Sequence, residues 1–263
     1  MMTRTAAPPW PLRGFGEAGL VMAMLLFAAA AVAQRVTLGD PLVLHVLDLA
    51  PDADVAAFEQ HVSGLLASPK SSGERVTLLR ADRGNRKGQY VLAGATTRRS
   101  REVVKQLQAG SASYVKGPGT EVEYRLVGHA TAGAPPDVDV LGIHYIKVRP
   151  DRRDAFDRYV AETLHPAVAN LRPDLRLLYY KSATDPGSYI TVFALTRESR
   201  DKYWPKGSDS DEVRAAFGPV RHLTTELSGY LVEGSYLADQ RAAAPVFESR
   251  EWTDFVSVRP ERR

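Results

Sequence analysis

The stretch Leu42-Val43-Leu44-His45-Val46-Leu47-Asp48-Leu49-Ala50-Pro51-Asp52 returns as Leu141-Gly142-Ile143-His144-Tyr145-Ile146-Lys147-Val148-Arg149-Pro150-Asp151. His45 and His144, like Pro51 and Pro150, are 99 positions apart. A second block keeps the same spacing: Gly88-Gln89-Tyr90 matches Gly187-Ser188-Tyr189, and Thr97-Arg98-Arg99-Ser100-Arg101 matches Thr196-Arg197-Glu198-Ser199-Arg200. Between the blocks, Phe58 and Val62 match Phe156 and Val160 with a slip of one residue. Two blocks in one register over about a hundred residues mark a tandem duplication. The joint, from Ala130 to Asp137, has the Gly and Pro content of a linker. The reading divides the chain into 34–132, a linker over 133–138, a second copy over 139–238 and a tail over 239–263.

Each copy alternates two hydrophobic periods. Leu141 to Val148 is a continuous apolar, β-branched run, as a strand buried on both faces requires. Pro150-Asp151 opens a helix whose Ala155, Phe156, Tyr159, Val160 and Leu164 share one face. Leu175 to Lys181 and Ser188 to Leu195 flank an Asp185-Pro186-Gly187 turn and form a hairpin. A helical stretch from Ser199 is interrupted at Trp204-Pro205-Lys206-Gly207, resumes over Glu212 to Phe217, and is followed by a helix from Pro219 to about Leu227. Gly229 to Tyr236 is expected to be the fourth strand, and Trp252 to Val258 a further strand in the tail. The first copy gives the same order with strands over Leu42 to Leu49, Arg75 to Arg80, Gln89 to Thr96 and Glu121 to His129. The fold class is therefore α+β. Two ferredoxin-like βαββαβ units each have an uncovered sheet face, and each is available to cover the other.

The chain has 263 residues, 44% of them hydrophobic, and a net charge of +3 with acids and bases interspersed. No basic stripe of the kind that binds nucleic acid stands out, since Arg98, Arg99 and Arg101 run directly into Glu102. With no cysteine, disulfides, thiolate catalysis and Cys-ligated metals are all excluded. Arg4 and Arg13, the apolar run Leu20 to Ala31 and the Ala31-Val32-Ala33 site read as a signal peptide cleaved before Gln34. The mature protein is then expected in the periplasm or outside the cell. No later run is long enough to span a membrane. Gly14, Gly16 and Gly19 match the dinucleotide fingerprint but lack its βαβ setting, and no motif calls for a cofactor or metal.

The residues Phe156, Tyr159, His165-Pro166, Leu171, Pro173, Leu175 and Tyr179-Tyr180 resemble the EthD-type pattern of an aromatic helix face ending in a His near a Pro. With the duplicated βαββαβ order, the two copies together, 34–132 and 139–238, resemble the dimeric α+β barrel superfamily, which includes antibiotic-biosynthesis monooxygenase-like, EthD-like and NIPSNAP-like families. That resemblance implies two sheets packed face to face into a barrel within one chain, so that a monomer suffices. It also implies a pocket between sheet and helices or inside the barrel. Cofactor-independent oxygenases, haem-binding enzymes and proteins of no known activity all occur in it.

Two residues are candidate catalytic groups. His165, before Pro166, is either a general base or axial haem ligand, or a cation placed at a helix end. His144 and its copy His45 are either a pair of ligands or proton carriers in the barrel interior, or buried histidines satisfied by their neighbours. Tyr145, Tyr180, Phe193 and Trp204, from the more aromatic second copy, together with His45, are candidate ligand contacts. The expected function is binding of a small apolar molecule or a structural role. The alternatives are a cofactor-independent monooxygenase-like or EthD-like enzyme and, third, haem binding.

Overall fold

The computed structural model describes residues 38–67, 76–95, 97–109, 114–127, 138–171, 176–203, 215, 218–233, 236–239, 246–249 and 251–258. The expected signal peptide, the linker up to residue 137, Trp204 and the Glu212 to Phe217 helix, apart from residue 215, lie outside the described residues. The first copy supplies β1 (Leu42–Leu47), α1 (Val55–Ala67), β2 (Val76–Gly84), β3 (Tyr90–Gly94), α2 (Thr97–Ala109) and β4 (Thr120–Leu126). The second begins with β5 (Val140–Lys147) and α3 (Arg153–Tyr159), which runs through a π-helical turn (Val160–Leu164) into α4 (His165–Leu171). It continues with β6 (Arg176–Ser182), β7 (Ser188–Leu195), α5 (Arg197–Tyr203) and α6 (Arg221–Leu227), and the chain then forms β8 (Tyr236–Asp239), β9 (Val246–Ser249) and β10 (Glu251–Ser257).

Eight strands close a barrel in the order β1-β3-β2-β10-β5-β7-β6-β4, and every neighbouring pair is antiparallel. This is the expected α+β fold, with two ferredoxin-like sheets joined edge to edge into one intrachain barrel. The period-two alternation of the strands sorts their side chains. Leu42 and Leu44 pack inside the barrel with Leu79, Leu141, Ile143, Val192 and Phe255. The alternate residues face outward under the helices: Leu47 meets Phe58 and Val62 in the first copy, and Ile146 meets Phe156 and Val160 in the second. Phe58 and Phe156, matched in the sequence, are both fully buried.

The fourth strand of the second copy departs from expectation. Gly229 lies in a 3-10 turn (Ser228–Tyr230), and Leu231 makes one isolated bridge to Val148, as Val115 does to Leu49 in the first copy. The helical path runs on to Tyr230, so the chain meets β5 only beyond its end. That leaves the edge of β5 from Val140 to Tyr145 without partners, and a buried edge must have its backbone groups paired. β10 supplies them, pairing Glu251 with Tyr145 through to Val256 with Val140, while its other side pairs with β2. β10 thus stands where β4 stands in the first copy, and the sheet of the second copy reaches Ser257.

One polar device appears in both copies under the helices. In the first, Glu59 accepts hydrogen bonds from Tyr90 Oη at 2.5 Å and from Arg80 at 3.2 Å. In the second, Asp157 accepts from Tyr189 Oη at 3.0 Å and from Lys181 at 2.6 Å. Burial and the adjacent carboxylate push the Tyr90 hydroxyl up to about 12 and raise that of Tyr189. Because both copies keep this staple, we assign it to stability. Tyr189→Phe is expected to cost about 1.5 kcal/mol, the value of a hydrogen bond to a charged group, in urea unfolding. A loss indistinguishable from zero would show that the phenol contributes only its ring.

Candidate functional site

Strand register lines up one row of outward-facing residues across each sheet. In the second copy the row is Trp252 on β10, His144 on β5, Thr191 on β7 and Tyr179 on β6. In the first copy the same positions hold Glu121, His45, Leu92 and Leu78. The helix-facing side of the first copy is thus a hydrocarbon core beyond its histidine, whereas the second carries a polar and aromatic line. The Tyr179 hydroxyl is hydrogen-bonded to Thr191, and burial pushes its pKa up to about 12.

Above this row sits His165, whose ring centroid is 5.5 Å from that of Tyr179. Pro166 lacks an N–H and its ring would strike the carbonyl four residues back. The chain answers with the wider π turn, in which the His165 N–H reaches Val160 O, and the helix continues to Leu171. Of the two readings of Pro166, a kinked or an ended helix, the helix does not end there, so the reading of His165 as a cation favoured by the dipole of a helix end is corrected. His165 is 2% exposed, neither ring nitrogen has a hydrogen-bond partner among the described residues, and desolvation lowers its pKa to about 4, so it is neutral at physiological pH.

The remaining candidates separate. His45 and His144 face the helices, so the expectation that they point into the barrel interior is corrected: they alternate with Leu44 and Ile143, which do. His45 is bonded at one nitrogen, its Nε2 2.5 Å from Pro118 O, while its Nδ1 has no hydrogen-bond partner among the described residues and lies 3.4 Å from Glu121, which Arg101 holds at 2.7 and 3.1 Å. His144 is partly buried, between Phe193 at 5.3 Å and Trp252 at 6.5 Å, and desolvation lowers its pKa to about 4. Tyr145 and Tyr180 belong to the barrel interior, away from His165. Tyr180 donates to Gly39 O at 3.1 Å, and the Arg86 guanidinium lies 4.1 Å over the Tyr145 ring. The structure therefore brings His144 together with Phe193 and Trp252, and His165 together with Tyr179 two strands away across Thr191; Thr191 and Trp252 are not among the site residues expected from the sequence. The Leu92 to Thr191 exchange was visible once the copies were aligned.

No known protein-family description matches the sequence, and no curated protein matches it. Solved structures share its fold. A proposed monooxygenase from Fusobacterium nucleatum aligns at 8% identity over 86% of this chain and 100% of its own, with a TM-score of 0.50. A mutant chlorite dismutase from Candidatus Nitrospira defluvii aligns at 11% identity over 85% and 93%, with a TM-score of 0.48. The heme-degrading enzyme LmHde from Listeria monocytogenes aligns at 13% identity over 82% and 98%, with a TM-score of 0.41. These likenesses are of fold alone. Among the described residues no helix is long and apolar enough to cross a membrane.

Proposed function

We propose that this protein is exported and holds a small, uncharged, mainly apolar molecule between the sheet and helices of its second copy, with His165 as the polar contact. One observation carries the reading: an imidazole 2% exposed with neither nitrogen partnered among the described residues. A buried polar group without a partner costs about 1–3 kcal/mol. The fold does not require it, since Ala67 stands at the matching place in α1, 98 positions earlier, as Phe58 does to Phe156. A bound hydroxyl or similar donor would satisfy it.

The lowered pKa decides the kind of contact. A phenol titrates near 10 in water, so passing its proton to a group of pKa about 4 is uphill by about 6 units, or about 8 kcal/mol. In this state His165 accepts a hydrogen bond and does not abstract a proton. A cofactor-independent oxygenase would first have to raise its basicity on binding substrate. The second reading is haem, for which a neutral unpartnered imidazole is a fitting axial ligand. His165 is the residue that would hold it, and redox chemistry at iron is what it would supply.

The test is to purify the protein from its own host, record its absorbance spectrum and identify any retained molecule by mass spectrometry of an organic extract. A Soret band selects haem. A retained apolar molecule that His165→Ala loses supports the first reading, and retention of that molecule by the variant overturns the role of His165. The same preparation tests export, which predicts Gln34 as the N-terminus.

A further inference from the structure

The duplication provides an internal control for His144. Its copy, His45, is enclosed: the loop over it brings Pro118 O to its Nε2, and Gly119, at φ +70°, comes so close that a Cβ there would stand 3.0 Å from that nitrogen. Among the described residues of the second copy neither enclosing part is present. Val115 and Leu231 are 116 positions apart, and Glu121 and Trp252 are 131 apart, against 99 for the histidines, so the enclosing loop has been replaced by inserted chain. Trp252 stands where the carboxylate stood, with its ring at 26° to the imidazole. Gly142, next in the outward row, lets Phe193 close in from the other side, since a Cβ there would lie 3.5 Å from that of Phe193 and 3.2 Å from Asp254 Oδ1. Among the described residues His144 makes no hydrogen bond, and both it and Trp252 are partly exposed.

We infer that His144, Trp252 and Phe193 form an aromatic subsite at the rim of the second copy's sheet-to-helix layer, which takes a flat uncharged ring bearing a hydroxyl. The proposal rests on the reading that this layer holds a ligand, and it names that ligand's class. Trp252 and Phe193 present aromatic surface against which a ring packs. A neutral imidazole offers one donor and one acceptor, matched by a hydroxyl, which is both. The desolvation that lowers the His144 pKa also opposes a charged ligand.

Titration calorimetry of the full mature chain with 2-naphthol tests this, with 2-naphthoate and 2-methylnaphthalene as anionic and hydroxyl-free controls. Wild-type protein should bind 2-naphthol and neither control comparably. His144→Ala should weaken binding about tenfold, equal to about 1.4 kcal/mol. Trp252→Glu, which restores the first copy's residue, should do the same, while Trp252→Phe should stay within about threefold of wild type. Near-ultraviolet circular dichroism confirms the fold, and His144→Ala decides the matter should Trp252→Glu not fold. No binding of 2-naphthol by wild type, or equal binding by wild type and His144→Ala, overturns the subsite. If His165→Ala then still releases the molecule retained from the host, the broader reading stands without it. If 2-naphthol binds through His144 while nothing depends on His165, the subsite stands and the broader reading falls.

Discussion

A chain ending at Ser249 will lose cooperative unfolding altogether. Removing β10 takes Phe255, Val256 and Val258, all at most 7% exposed, out of the interior, which forfeits about 6 kcal/mol at about 2 kcal/mol each. It also opens the barrel between β2 and β5, leaving two buried strand edges with unpaired backbone groups. Against a total stability of about 5–15 kcal/mol, the loss is comparable to the whole. The expected product has native-like far-ultraviolet but featureless near-ultraviolet circular dichroism and aggregates through its open edges. Ending the chain after Val258 keeps β10 and should leave the melting temperature unchanged. A chain ending at Ser249 that melts cooperatively near the wild-type temperature would show that the barrel closes without its eighth strand.

That strand also marks where the sequence was legible. Copies in register at 99 positions gave the order of elements, the Asp185-Pro186-Gly187 hairpin and the closure of two sheets on each other. Register failed where insertions broke it. Tyr230-Leu231-Val232 is apolar and β-branched and reads as a strand, yet only Leu231 bridges, because what decides strand membership there is which segment reaches the free edge of β5. That competition is non-local and leaves no mark on the local pattern. For the same reason Trp252 was invisible as a site residue, since its neighbour His144 is more than a hundred positions away. The face shared by His144 and Ile146 was legible from period two alone. Whether that face lay inside the barrel or under the helices depended on how the sheets closed. His165 drew notice beside Pro166, but a proline signals interrupted hydrogen bonding and does not say whether the helix stops or widens into a π turn.

His165→Leu is expected to make the protein more stable and to abolish what it holds. At neutral pH the substitution removes two ring nitrogens that have no partner among the described residues from a site 2% exposed and puts an apolar side chain beside Tyr179, a gain of about 1–3 kcal/mol. The effect grows with acid. The imidazole titrates at about 6.5 unfolded and, lowered by desolvation, at about 4 folded, so its contribution is intact above pH 6.5 and is lost as pH falls from there through 4. That loss, about 2.5 units or roughly 3 kcal/mol, belongs to wild type and is absent from the variant. His144 shares the direction of shift, but its partial exposure reduces its share. Urea unfolding of both proteins at pH 7 and pH 4.5 measures the difference, and the retained molecule is assayed in the same preparations. A purely structural histidine would give the opposite result at pH 7, where Leu would destabilise; the pH slope is lost on exchange in either case and tests the lowered pKa alone. A gain in stability coupled to a loss of ligand occurs where a residue is kept for binding at the expense of the fold.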